Sequence, residues 1–227
     1  EKINVTNPEN GEIIDTVPSA NSDDVEMAIQ AASQAKPDMA KLTGYERFQI
    51  LRRASELVLS RKQELAETIS REEGKAIRES AGEVERAANT LELSAEEARR
   101  ISGELLPLDG GPGVQDKLGF TLRIPCGVVA AIPPFNFPLN LVCHKVGPAI
   151  AGGNSVLLKP ASDTPLVALK LVEILLEAGL PENGIQCITG RGSIVGNAIC
   201  RDSRIRKISF RSEEHTSELQ SRQYLVC

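Results

Sequence analysis

Aromatic residues are scarce in this sequence of 227 residues: they make up 3% of the chain, and tryptophan is absent. The core is therefore expected to be aliphatic. No stretch reaches the roughly 18 uninterrupted apolar residues that a membrane-spanning helix needs, and residues 1–4 do not lead into the apolar segment of a signal peptide. These absences argue against a membrane protein and favour a cytoplasmic one.

Cysteine and histidine are also few. The cysteines are scattered without a CxxC pair, and no histidine stands near them at metal-ligand spacing. We therefore expect reduced, buried thiols in a cytosolic protein and no metal site. The net charge is −5, and acidic and basic residues are interleaved without a basic stripe, which argues against a nucleic-acid partner. The five cysteines are Cys126, Cys143, Cys187, Cys200 and Cys227.

The hydrophobic pattern changes its period once along the chain. Residues 1–102 combine a short hairpin signal with Ala-rich and charged helical repeats, one of them opened by the capping box Thr43-x-x-Glu46. Residues 103–126 have the Gly and Pro content of a loop between extended pieces. In residues 127–210, short aliphatic strands alternate with helices. The predicted fold class is α/β, with a Rossmann-type parallel sheet preceded by an α-helical layer.

Capping residues predict two further helix starts. Ser22, followed by two aspartates, is the expected N-cap of the first helix. Asp163 or Thr164 is the expected N-cap of a helix that spans residues 165–178.

A glycine-containing loop from Gly190 to Gly196 follows a predicted strand and opens a predicted helix. Unpaired N–H groups and the helix dipole at such a start favour an anion. The spacing G-x-G-x-x-x-G is one residue longer than the usual dinucleotide fingerprint. A lone match of this kind is a weak signal, and the alternative is a plain, tight strand-to-helix turn.

The segment Lys159-Pro160-Ala161-Ser162 stands at the carboxyl end of another predicted strand. Ligands of open α/β sheets bind at such strand ends, and a lysine there can contact ribose hydroxyls or a phosphate. The alternative is a surface lysine that only extends its stem along the protein.

Three prolines stiffen the segment Pro133-Pro134-Phe135-Asn136-Phe137-Pro138. An asparagine held in so stiff a turn can direct its side-chain N–H₂ at a developing negative charge, as an oxyanion donor. Asn136 can instead cap the following helix or close an Asx-turn.

Taken in order, these segments strongly resemble the aldehyde dehydrogenase superfamily. The resemblance runs from about residue 125 to 210 through PPFNFP, HKVGPAIAGGNSVLLKPAS, EAGLPENGIQCITGRGSIVG and RIRKISF. It implies NADP or NAD as cofactor, an aldehyde substrate and, at full length, a homo-oligomer, with residues 103–126 resembling an oligomerisation hairpin. In such enzymes a cysteine thiolate attacks the aldehyde, hydride passes to the dinucleotide, and water activated by a glutamate hydrolyses the thioester.

The resemblance also implies roles for individual residues. Asn136 matches the family's oxyanion-stabilising asparagine, and Lys159 matches the lysine that contacts the adenosine ribose. Gly192 and Gly196 match the turn and helix start near the pyrophosphate. The other expected cofactor contacts are Ile132, Pro134, Phe135, Ala161 and Ser162.

Ser162 departs from the pattern of NAD-preferring members, many of which carry a glutamate there. That carboxylate bonds the ribose hydroxyls and repels a 2′-phosphate. Since serine removes the repulsion, we expect NADP to be accepted.

The resemblance ends abruptly after Phe210. Where the family continues with a Thr-Gly-Ser turn, residues 211–227 read RSEEHTSELQSRQYLVC, which resembles a translated sequencing adapter. We expect an artefactual, disordered tail here, the alternative being a divergent terminus or an exon change. The family's nucleophilic cysteine and general-base glutamate lie downstream, so the chain as written is expected to be an inactive fragment of an enzyme. A short, noncatalytic dinucleotide-binding module is the alternative function.

Resequencing of the locus tests the adapter interpretation. Genuine coding sequence is expected to continue with a Thr-Gly-Ser turn directly after Phe210. Transcripts that encode residues 211–227 as written would contradict it.

Overall fold

The computed structural model describes residues 1–211, so that nearly all of the predicted artefactual tail, residues 212–227, lies outside the described residues. The helices in the described part are α1 (Ser22–Lys41), α2 (Gly44–Ser60), α3 (Lys62–Glu73), α4 (Ile77–Ala98), α5 (Asn140–Ala151), α6 (Leu166–Glu177) and α7 (Gly192–Arg201). The strands are β1 (Lys2–Thr6), β2 (Ile13–Pro18), β3 (Leu105–Leu106), β4 (Gly119–Phe120), β5 (Val128–Ile132), β6 (Ser155–Leu158), β7 (Ile185–Cys187) and β8 (Ile205–Phe210).

Local capping explains where the first two helices begin. The predicted capping box of α2 is confirmed: Thr43 accepts the N–H of Glu46 at 3.2 Å, and Glu46 accepts the N–H of Thr43 at 2.7 Å. The predicted N-cap of α1 is wrong by one position. Asn21, and not Ser22, accepts the first free N–H groups, and Asp24 completes the box by accepting the N–H of Asn21. An Asn–Asp pair performs here what Thr–Glu performs in α2.

The central sheet has four parallel strands in the order β7-β6-β5-β8. From β5 the chain moves outward through β6 to β7 and then returns to place β8 on the other side of β5. The strand order therefore reverses between β5 and β8. A crevice forms at such a reversal, at the carboxyl ends of the strands, and this is the usual ligand site of open α/β sheets.

The core encloses the sheet from both sides, as parallel sheets require. Val129 and Ala131 of β5 belong to a cluster with α2 to α6, whereas Val128 and Ala130 belong to a second cluster with α1 and α7. The helices α2 to α4 pack mainly on α5 and α6 and form the predicted helical layer. The expected aliphatic core is confirmed in residues 1–211, where Phe48 is the only buried aromatic side chain.

Two glutamates of the helical layer cap helices of the sheet domain. Neither α5 nor α6 has a side-chain cap at its own first position. Glu83 of α4 accepts the N–H groups of Leu139 and Asn140 at 3.0 and 3.1 Å, at the start of α5. Glu72 of α3 accepts the N–H groups of Leu166 and Val167 at 2.7 and 3.0 Å, at the start of α6. These bonds join the two layers through groups that a helix leaves unpaired.

The predicted cap of α6 is therefore wrong. Thr164 is buried, and its hydroxyl has no hydrogen-bond partner among the described residues, while Asp163 is exposed. The carboxylate of Glu72 occupies the capping position instead. Burial raises the pKa of Glu72 to about 8, although its two hydrogen bonds to backbone N–H groups favour the ionised form.

No helix within residues 1–211 combines the length and the apolar character needed to cross a membrane. In the same residues, no three His, Cys, Asp or Glu side chains form a group that could hold a metal ion.

The buried carboxyl of Glu72 predicts a pH-dependent stability. Its pKa is higher in the folded chain than in the unfolded chain, so its contribution to stability is fully present below about pH 4.5 and is lost as the pH rises towards 8. Each unit of pKa difference corresponds to about 1.4 kcal/mol. The free energy of unfolding, measured in urea, should therefore fall relative to that of the non-titrating variant Glu72→Gln between pH 5 and 8.

Glu92→Gln, a change at an exposed position of α4, should not alter this dependence. A pH-independent difference between wild type and Glu72→Gln would contradict the assignment.

Candidate functional site

A cavity of about 510 Å³ lies at the carboxyl ends of β5 and β8, where the strand order reverses. It brings together four of the residues that the sequence singled out: Ile132, Lys159, Gly192 and Gly196. The other lining residues are Ser193, Asn197, Cys200, Ile208 and Phe210.

The backbone requires glycine at only one of the three glycine positions of the loop, Gly190, Gly192 and Gly196. Gly190 has a φ of +157°, and a Cβ atom there would lie 3.0 Å from Val195 Cγ2 and 3.2 Å from the backbone nitrogen of Ala20. The turn itself therefore explains Gly190. A Cβ at Gly192 or Gly196 would meet nothing within 4 Å, and neither residue has a positive φ. The fold does not require glycine at these two positions, and a side chain there would extend into open space.

The helix α7 begins at this opening without a side-chain cap. Its first N–H groups to close helical hydrogen bonds are those of Ile194 and Val195, which donate to the carbonyl of Arg191. Gly192 and Ser193 come before these residues in the chain, so their N–H groups have no partner within the helix. Both residues line the cavity. Such a helix start is a favourable position for a phosphate group.

Lys159 lies at the floor of the same cavity. Only 6% of the residue is exposed, and its ammonium donates to the carbonyl of Pro160 at 3.1 Å. Burial lowers the pKa of Lys159. The alternative of a surface lysine is therefore wrong, because the residue is buried and lines the cavity. Ala161 and Ser162 follow on the chain, half-buried and exposed respectively, and do not line the cavity.

The proline-rich loop follows β5 and leads into α5. Pro134 is buried and Phe135 is 40% exposed, and neither lines the cavity. The side-chain oxygen of Asn136 is buried and has no hydrogen-bond partner among the described residues. The N-cap of α5 is Leu139. Both structural alternatives for Asn136, a helix cap and an Asx-turn, are therefore wrong, because each would use this oxygen.

Asn136 is half-buried, and a main-chain contact holds it. Its carbonyl oxygen accepts a hydrogen bond from the ammonium of Lys75 at 2.9 Å. Lys75 also lies 4.3 Å from the centre of the Phe137 ring, where a cation is attracted to the ring face. The loop is thus held through its main chain, and its asparagine side chain takes no part in holding it.

Two residues of this region were not predicted from the sequence to belong to the site. Cys200 lines the cavity at a position four residues beyond Gly196 and eight beyond Gly192, so the helical repeat of α7 could have identified it. Lys75 gave no comparable signal, because its partner is 61 positions away.

Three of the four described cysteines differ from an activated nucleophile, and the expectation of buried thiols is wrong for Cys126 and Cys200, which are exposed. Burial raises the pKa of Cys143 well above its usual range and that of Cys187 to about 12. Burial also raises the pKa of Cys200. Because the reactive form is the thiolate, these three thiols are unsuited to attack a carbonyl at neutral pH.

Comparisons with known proteins identify the family of this chain. The model of the aldehyde dehydrogenase family matches residues 1–223. The 3-sulfolactaldehyde dehydrogenase of Priestia aryabhattai is 47% identical over 219 residues, which cover 96% of this chain and 46% of that protein. The NADP-dependent succinate-semialdehyde dehydrogenase GabD of Escherichia coli K12 is 41% identical over 211 residues, or 92% of this chain and 43% of that protein.

A solved structure shows the same fold. The NADP-dependent glyceraldehyde-3-phosphate dehydrogenase of Bacillus halodurans C-125, complexed with NADP, superposes with a TM-score of 0.94 at 36% identity. The match covers 100% of this chain and 48% of that one, so that the chain spans about half the length of the relatives it matches. The match to the family model and the relatives' sequences together show that the chain belongs to the aldehyde dehydrogenase family.

Proposed function

We propose that the protein to which this chain belongs oxidises an aldehyde to a carboxylic acid with NADP or NAD. The observation that carries the proposal is the open crevice beside Gly192 and Gly196, with the buried cation of Lys159 at its floor. The named relatives that act on aldehydes, one of them in complex with NADP, support it.

The residues present fit a dinucleotide. The free N–H groups at the start of α7 would bind the pyrophosphate, because no side chain at Gly192 or Gly196 blocks the approach. Lys159 would donate to a ribose hydroxyl. Ile132, at the carboxyl end of β5, would contact the dinucleotide. When bound, the dinucleotide supplies the acceptor for hydride.

Asn136 is proposed to stabilise the negative charge that develops on the aldehyde oxygen. Its side chain is not used in local structure, since the buried oxygen has no partner and the helix cap is supplied elsewhere. An amide donor that is already held in place stabilises such a charge more than water does, because it needs no reorganisation. Pro134 and Phe135 are proposed to shape the cleft on the same loop.

We further propose that the complete protein forms a homo-oligomer through the β3–β4 hairpin. Leu105, Leu106 and Phe120 of this hairpin are 71%, 40% and 61% exposed. Large apolar side chains exposed together are typical of a surface that another chain covers.

The complete protein, expressed from its natural gene, tests the proposed activity. We expect aldehyde-dependent formation of reduced dinucleotide by this protein and none by residues 1–227 alone, because the described thiols with raised pKa are not activated. Turnover by the 227-residue chain would contradict this assignment. A complete protein that binds dinucleotide without oxidising any aldehyde would favour the noncatalytic module. The mass of the same preparation in solution, measured by light scattering, tests the oligomer.

Ser162 predicts the cofactor preference. A glutamate at this position would place a negative charge near a 2′-phosphate, so Ser162→Glu should lower kcat/KM for NADP by about tenfold to a hundredfold relative to NAD, as expected for about 1–3 kcal/mol of repulsion. Ser162→Ala, which adds no charge, should leave the ratio within about twofold. A wild-type protein that favours NAD by orders of magnitude would show that the serine does not confer NADP tolerance.

A further inference from the structure

The ammonium of Lys75 is the centre of a small charged cluster between the helical layer and the proline-rich loop. Lys75 follows Gly74, whose φ of +79° ends α3 and turns the chain. Its side chain is only 11% exposed. The ammonium lies 2.6 Å from Glu83 Oε2 and 2.9 Å from the carbonyl oxygen of Asn136. Glu73 Oε2 is 3.0 Å away, at ion-pair distance but without hydrogen-bond geometry.

Glu83 connects this ammonium to the start of α5. One carboxylate oxygen, Oε2, accepts from Lys75, and the other, Oε1, accepts from the N–H groups of Leu139 and Asn140. The carboxylate is completely buried. The position of Lys75 is thus fixed by the same group that fixes the helix immediately after the loop. Hydrogen bonds between charged groups are shorter and stronger than neutral ones.

The loop residue Asn136 is therefore held from two directions. Lys75 binds its carbonyl oxygen, and Glu83 binds the chain three residues later. Pro138 restricts the backbone between these points, and Pro134 restricts it two residues before Asn136. None of these contacts uses the asparagine side chain, whose oxygen has no partner.

We propose that Lys75 is a positioning residue for the oxyanion donor Asn136. It acts through the main chain of Asn136 and touches neither the aldehyde nor the dinucleotide. The proposal rests on the proposed function, in which Asn136 receives the developing charge. A displacement of a donor by about 1 Å is enough to lower a rate by about a hundredfold.

The test uses the complete protein and the variant Lys75→Met. We expect kcat to fall by about tenfold to a hundredfold, while the Kd for NADP stays within about twofold, because Lys159, Gly192 and Gly196 are unchanged. Lys62→Met is the matched control: Lys62 pairs with Glu85 at 2.6 Å between α3 and α4, and its side chain is 40% exposed. This control should keep the wild-type kcat. A fall in kcat no larger than that of the control would overturn the proposal.

Lys75→Met also leaves the buried carboxylate of Glu83 without its cation and can lower stability for that reason alone. The triple variant Lys75→Met/Glu83→Gln/Glu73→Gln removes all three charges of the cluster, and the side-chain carbonyl at position 83 still accepts from α5. We expect this variant to melt near the wild-type Tm with kcat still reduced. Recovery of the wild-type kcat, or failure to fold, would assign Lys75 a purely structural role and overturn the proposal.

A double-mutant cycle with Asn136→Ala separates positioning from general damage. If Lys75 acts through Asn136, Lys75→Met should reduce kcat little further once the amide is gone. An equal loss in both backgrounds would overturn the proposal.

Failure of the proposed function is recognised separately. If the complete wild-type protein oxidises no aldehyde, the function fails before any variant is made. Hydrogen exchange at the amides of residues 135–137, 139 and 140 then decides whether Lys75 holds the loop. Faster exchange in Lys75→Met than in Lys62→Met would support the contact, and equal exchange would exclude it.

Discussion

The capping of helices by carboxylates from another layer is the interaction on which this structure most depends. Every α-helix leaves its first N–H groups unpaired and carries a partial positive charge at that end. In α5 and α6 these groups lie in the interior, where unpaired polar groups are costly. Glu83 and Glu72 satisfy them from α4 and α3. The helical layer is therefore joined to the sheet domain by hydrogen bonds as well as by apolar packing.

The same interaction distinguishes the start of α7 from the starts of α5 and α6. The starts of α5 and α6 are already occupied by buried glutamate side chains, whose oxygens accept their first N–H groups. The start of α7 has no side-chain cap and opens onto the cavity between Gly192 and Lys159. Protein carboxylates thus occupy two of the three helix starts at the carboxyl edge of the sheet, and the third remains free for a ligand.

The two loops at this edge have the same construction. One connects β5 to α5 and carries Asn136, and the other connects β6 to α6 and carries Lys159. Each begins at a buried parallel strand and ends at a helix whose first turn is held by a glutamate of the helical layer. Functional side chains on loops need such support at both ends, because a loop has few backbone hydrogen bonds of its own. The helical layer consequently influences the site without lining it.

Local features of the sequence determined much of this protein. The period of the apolar residues predicted the helical layer and the parallel sheet, the low aromatic content predicted the aliphatic core, and Thr43 with Glu46 predicted a helix start. These signals succeed because they depend on neighbours a few positions apart. The motifs around Asn136, Lys159 and Gly192 indicated the family for the same reason: each lies within one short segment.

Only the tertiary structure decided the supporting contacts. Glu72 caps a helix 94 residues further along the chain, Glu83 one that begins 56 residues further, and Lys75 binds a carbonyl 61 residues away. No local pattern marks such partners, since a buried glutamate and an exposed one are identical in sequence. At the start of α6 the local rule was wrong, because the distant side chain of Glu72 caps the helix in place of Asp163 or Thr164. The sequence therefore determined which elements form, whereas the packing of distant helices decided which charges hold the site.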